Sequence, residues 1–217
     1  MFIGHNAVGF ASKSFAPRTS MGWLMAAPML LDLLWPIFLL AGLEHVQVHP
    51  DAQNQFLHFE FVSYPLSHSL LLAVIWGAIF GGIYFWRTKY VAGSVVLCIG
   101  VISHWVLDWV THVPDLPLFP GGAKFGLGLW LHPLPTMIIE IAMLLAGVMM
   151  YVRATRSLDR TGSVALWVLV AALLAGYLAA SNAPPPTSLA QLAFGSLSMI
   201  VIPFWAAWID RHREARS

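Results

Sequence analysis

The chain has 217 residues, of which 59% are apolar and only 10% charged, and its formal net charge is +1. Soluble domains carry about 25% charged residues, so this composition excludes an ordinary soluble domain, and a charge this close to zero excludes a basic nucleic-acid-binding surface. The single cysteine, Cys98, lies inside an apolar run, which excludes a disulfide framework and reads as a small core residue.

Residues 2–12 are apolar apart from His5, Asn6 and Ser12, and are too short to cross a bilayer. His5 and Asn6 interrupt what would be the apolar core of a signal peptide, and no basic segment precedes them, so this segment is expected to be retained. With Lys13 at the cytoplasmic interface, a helix running back from it carries His5 about 12 Å into the membrane. The alternative is an amphipathic helix lying on the surface.

Six longer stretches follow, at roughly 20–43, 66–86, 91–113, 129–152, 163–181 and 188–209. Each can cross about 30 Å of hydrocarbon at about 1.5 Å per residue. Pro36, Pro133, Pro135 and Pro203 fall inside or near the ends of spans, which membrane helices tolerate, while Pro184, Pro185 and Pro186 break the chain between the last two. The expected fold is an all-α polytopic bundle of about six transmembrane helices plus an N-terminal half-membrane helix. It forms one domain over 1–217, with the chemistry in about 1–152 and accessory helices at about 163–209.

Basic residues set the expected orientation. Lys13 and Arg18 precede the first span, Arg87 and Lys89 join the second and third, Arg153, Arg156 and Arg160 join the fourth and fifth, and Arg211, Arg213 and Arg216 follow the last. The remaining connections hold only Lys124. Every second connection is basic, which implies both termini in the cytoplasm.

Asp32, Asp108 and Glu140 fall within spans, each at a cost of roughly 2.5–3.5 kcal/mol at mid-membrane. No span holds a Lys or Arg away from its ends, so these carboxylates call for metal cations, protons or both. Histidines occupy the same segments. His104, Asp108 and His112 recur every fourth residue, a stripe that drifts only about 40° per step on a helix. His104 and Asp108 can chelate one ion, whereas His112, about 12 Å further along the axis, would serve a neighbouring ion or the substrate. Depth estimates at about 1.5 Å per residue put His5, Glu140, Asp32, His104, Asp108, His68, His132 and His112 in one column from mid-membrane to the outer mouth. His68 opens the second span within Ser67-His68-Ser69, and Glu140 lies two turns from His132, so both are candidate ligands, with Glu140, Asp108 and His112 the candidate proton carriers. His45, His49 and His58 lie in the outer loop as a lid, and His212 is in the cytoplasmic tail.

Imidazole and carboxylate ligands without thiolates suit zinc first, then manganese or iron. There is no His-Glu-x-x-His and no Gly-x-Ser-x-Gly, so neither a zinc metalloprotease of the usual design nor a serine hydrolase is indicated.

The elements Gly4-His5, Asp32, Ser67-His68-Ser69, Ser103-His104 with Asp108, and Thr111-His112 resemble a bacterial family of inner-membrane-associated metal-dependent hydrolases. The resemblance covers about the first 115 residues. That family is distantly similar to zinc-dependent phospholipase C and single-strand nuclease enzymes, which hold three zinc ions through a comparable order of ligands. The resemblance implies His5, Asp32, His68, His104 and Asp108 as ligands, with His112 beside them. Leu34 and Trp35 stand where many family members have further Asp and His ligands, so two ions are expected rather than three. The expectation is a membrane hydrolase acting on a lipid or a small amphipathic, lipid-linked ester or phosphodiester, with membrane lipids as its partners. A proton- or metal-coupled transporter is the alternative.

Overall fold

Apolar segments of about twenty residues have one stable solution in lipid, the α-helix, because it satisfies every backbone polar group within the segment. The computed structural model describes residues 1–52 and 54–216. In chain order it contains α1 (Ile3–Ser12), α2 (Met21–Leu40), β1 (His45–Val48), β2 (Phe59–Ser63), the one-turn α3 (Pro65–His68), α4 (Leu70–Thr88), α5 (Val91–Thr111) and the strand pair β3 (Leu116–Pro117) and β4 (Lys124–Phe125). It continues through α6 (Pro133–Ala154), β5 (Thr155–Ser157), α7 (Arg160–Ala180), α8 (Leu189–Leu197), α9 (Val201–Asp210) and β6 (Arg213–Ala215). The fold is an all-α bundle, and six of its helical stretches are long and apolar enough to cross a membrane.

The last of these is Leu189–Asp210, broken by a 3₁₀ turn at Ser198–Ile200 between α8 and α9. Pro203 has no N–H, so the Met199 carbonyl loses its partner and the chain tightens there. The second span is also divided. Ser69 adopts an extended ψ of 147°, ending α3, and its hydroxyl accepts from the Leu72 amide to cap α4. The turn that carries His68 is therefore set apart from the helix that follows it.

α1 is an inserted half-helix. Ile3, His5, Asn6, Ala7, Gly9 and Phe10 are all buried, between α2 on one side and α6 on the other. The fit depends on Gly147 of α6, where an added Cβ would collide with the Ala7 carbonyl oxygen.

Lys13, expected at the aqueous interface, is only 4% exposed. Its ammonium donates to Asp210 at 2.8 Å and to the Thr19 carbonyl at 2.9 Å, which pins the lower end of α1 to the end of α9. The same end of the bundle gathers other basic residues. Arg18 lies over the Tyr90 ring, and β5 pairs with β6 so that the Arg213 guanidinium donates to Thr155 and Ser157. At the opposite end the β1–β2 hairpin folds over the helices. Phe56 stacks on Trp130 with centroids 6.3 Å apart, and Phe2 leans against both.

Candidate metal centre

The site is built around Asp108, one turn from the end of α5 and 2% exposed. Its Oδ2 lies 3.0 Å from His104 Nε2, one turn back on the same helix, and 3.8 Å from His112 Nε2, one turn ahead. His68 Nε2, on α3, is 3.8 Å from the same oxygen and 3.2 Å from His104 Nε2. Asp32 Oδ1, from α2, stands 3.5 Å from His68 Nε2 and 3.7 Å from His104 Nε2. On the other side of the carboxylate, Oδ1 meets His5 Nε2 at 3.1 Å and the amino group of Met1. His5 also stacks on His104, with centroids 3.9 Å apart. Two overlapping ligand groups result: His68, His104 and Asp108, and His5, Asp32 and His104.

The outward-facing nitrogens determine what the inward-facing ones can do. His104 Nδ1 is 2.7 Å from the Pro28 carbonyl, which can only accept, so this nitrogen carries the proton and Nε2 is left with a lone pair. Gly100, one turn earlier on α5, lets the helix approach Ala27 and Pro28 closely enough for that bond. His68 Nδ1 is 2.7 Å from Ser67 Oγ, whose own proton goes to Glu44 at 2.7 Å, so His68 Nδ1 is likewise the donor. His112 Nδ1 donates to Asp115 Oδ1 at 3.0 Å. The same oxygen accepts from Tyr64 at 2.7 Å. Burial and then the adjacent Asp115 hold the Tyr64 phenol well above its ordinary range, so it remains a donor.

His68 Nε2, His104 Nε2, Asp32 Oδ1 and Asp108 Oδ2 thus converge as acceptors with no donor of their own. Four such atoms repel unless a cation or an added proton lies between them. Ligands of tetrahedral zinc stand roughly 3.3–3.5 Å apart. Within His68, His104 and Asp108 the separations are 3.0, 3.2 and 3.8 Å, while Asp32, at 3.5 and 3.7 Å from His68 and His104, belongs to the second ligand group. The donor set and its spacing therefore fit a zinc-class ion. Fixing His68, His104 and His112 through their outer nitrogens is also how proteins orient metal-ligating histidines, whereas His5 Nδ1 has no partner among the described residues.

Asp32 differs from its neighbours in that 27% of its side chain is exposed. Pro28, Met29, Trp35 and Pro36, on the same face of α2, are buried. The exposed carboxylate therefore faces space within the bundle rather than lipid, and marks the approach to the ligand cluster.

The other predicted residues stand apart. His132 is exposed at the N-cap of α6, where Pro133 begins the helix, and belongs to neither ligand group. It does not share the buried face of Glu140 that the two-turn spacing suggests. Glu140 is fully buried, but its Oε2 accepts from the amides of Phe2 and Gly4 at 2.8 and 3.1 Å. α1 has no side-chain cap of its own, so this carboxylate from α6 satisfies its first-turn donors. Its Oε1 has no partner among the described residues. If the cap is its principal role, Glu140→Gln, which keeps an acceptor for the two amides, should cost under about 1 kcal/mol of stability, and Glu140→Ala about 2–3 kcal/mol. Denaturant unfolding of both variants checks this; equal loss of activity in both at unchanged stability would assign Glu140 to proton transfer instead. His49 pairs with Glu60 at the surface and His58 contacts the Ala52 carbonyl, so neither lies in the cluster.

Sequence reasoning misses Glu44 and Asp115, the carboxylates behind His68 and His112. Asp115 carries a signal, three residues after His112; Glu44, distant in sequence from His68, carries none. No protein-family model, no curated protein and no solved structure matches the chain.

Proposed function

We propose that the chain is a membrane-embedded hydrolase that uses zinc-class ions held at Asp108 to cleave an ester or phosphodiester of a lipid or lipid-linked substrate. The observation that carries this reading is the convergence of the His68, His104 and Asp108 acceptors at separations of 3.0, 3.2 and 3.8 Å, with Asp32 beside them and the outer nitrogens of His68 and His104 already engaged. His68, His104 and Asp108 would hold one ion, and His5 and Asp32, which form the second ligand group with His104, would contribute to another, so two is the expected number. Manganese or iron would suit the same donors. The resemblance of the His and Asp elements to inner-membrane metal-dependent hydrolases points the same way.

Zinc, when bound, polarises an ester or phosphoryl oxygen and makes water more acidic. The chain supplies the remaining parts. His112, oriented by Asp115, keeps Nε2 free to take a proton from attacking water and return it to the leaving group. No Lys or Arg lies among the ligands, so a phosphate would be recognised through the ions, which disfavours a polyanion such as nucleic acid. The basic end of the bundle is taken as cytoplasmic, which puts the site toward the outer leaflet of a bacterial inner membrane. The substrate would then be a molecule already in that leaflet.

Transport would need a polar path to both faces. Between the site and the basic end the interior is filled by Phe10, Leu24, Met25, Leu144 and Val148, all buried, and this favours hydrolysis. The test is reconstitution into phosphatidylethanolamine–phosphatidylglycerol vesicles with zinc, followed by mass spectrometry of the lipids. Zinc-dependent release of a lipid fragment is expected, with His112→Ala lowering turnover about 10²–10⁴-fold while zinc is retained. Ion or proton flux without any lipid cleavage would support the transporter instead.

A further inference from the structure

Glu44 is a buried carboxylate outside the ligand cluster with both oxygens engaged. It is 1% exposed, lies in the connection between α2 and β1, and accepts three hydrogen bonds. Its Oε1 takes the amides of Leu66 and Ser67, both at 2.8 Å, and its Oε2 takes the Ser67 hydroxyl at 2.7 Å. It thereby closes the N-terminus of α3, the single turn that carries His68. The Ser67 oxygen then receives the His68 Nδ1 proton at 2.7 Å. Hydrogen-bond polarity runs one way along this chain, from His68 to Ser67 to Glu44.

We infer that Glu44 is a positioning residue that fixes the tautomer of His68 through Ser67, keeping His68 Nε2 deprotonated and available to a metal ion. This rests on the metal-centre reading above, but its first test does not require the metal. The direction of the chain depends on Glu44 being an acceptor at both oxygens. In Glu44→Gln the amide oxygen must face the two backbone N–H groups, which puts the amide NH₂ against Ser67 Oγ. Ser67 then accepts, its hydroxyl turns toward His68 Nδ1, and the imidazole is left with its proton on Nε2, pointing at His104 and Asp108. A nearly isosteric change thus converts a ligand into a donor. Ser67→Ala removes the relay without reversing it, so the His68 tautomer becomes free and a metal can select the productive one.

Two measurements test this. The first is ¹⁵N NMR of histidine-labelled, metal-free protein in detergent, with His68→Gln assigning the resonance. Wild type should show His68 protonated at Nδ1, and Glu44→Gln should show it protonated at Nε2. The second is zinc affinity by chelator competition. Glu44→Gln should bind about 10–100-fold more weakly than wild type, and the Glu44→Gln/Ser67→Ala double variant should recover most of that loss. A purely structural Glu44 would give the opposite order, with the double variant weaker than either single one. Wild-type His68 protonated at Nε2 overturns the inference even if no variant folds. A wild type that shows the Nδ1 tautomer yet binds no zinc upholds the tautomer relay and overturns the metal reading alone.

Discussion

The Asp108→Asn protein is expected to bind zinc at least about 100-fold more weakly than wild type. Asp108 faces different partners on its two sides. Its Oδ1 meets the amino group of Met1 and His5, whereas its Oδ2 meets the Nε2 atoms of His104, His68 and His112. An asparagine would keep its oxygen toward the amine and present its NH₂ to His104 Nε2, satisfying a lone pair that otherwise needs a cation. Against that gain stands the loss of the carboxylate charge beside the buried Met1 ammonium, so the metal-free variant should be less stable than wild type by up to about 3–5 kcal/mol. Chelator competition and denaturant unfolding, both in detergent, give the two numbers. A variant that binds zinc as tightly as wild type would mean that Asp108 is there only to balance the Met1 ammonium, and the ligand assignment would fail.

The second large effect concerns α1. Gly147→Ala places a methyl in the interior of α6, where helix propensity alone would stabilise by about 0.8–1.0 kcal/mol. The added Cβ, however, would collide with the backbone oxygen of Ala7. That neighbour cannot rotate away, so α1 must move as a unit and carry His5 with it. The expected result is a net destabilisation of about 1–3 kcal/mol, with loss of one of the two bound ions. A stabilised Gly147→Ala protein would mean that α1 does not pack against α6 in this way.

The spans are legible in the sequence because each satisfies its own backbone and reveals itself by length and hydropathy. Their ends agree with the sequence reading to within a few residues for α2, α5, α6 and α7, and the half-inserted α1 also emerges from it. What depends on tertiary contact does not. Lys13 reads as a solvated interfacial cation, because nothing local indicates that Asp210, at the far end of the chain, buries it. The break between α3 and α4 is hidden because Ser67-His68-Ser69 looks like the plain start of a span. In the structure the two serines act separately, Ser67 holding His68 and Ser69 capping the next helix. Counting back eight residues assigns His132 to the face of Glu140, but Pro133 starts the helix and leaves His132 outside it. The intramembrane residues His5, Asp32, His68, His104 and Asp108 are legible for a simple reason. Polar groups in so apolar a chain are costly, and they have few partners other than one another.

The most direct test of the metal centre is elemental analysis by mass spectrometry of the detergent-purified chain, wild type beside the His104→Ala/Asp108→Ala double variant. About two zinc-class ions per wild-type chain are expected, as in two-metal hydrolytic sites, and fewer than about 0.2 in the variant. A wild type that stays folded and binds none, even after incubation with zinc, manganese and iron in turn, would contradict this. Asp32, Asp108 and the histidines around them would then be sharing protons instead.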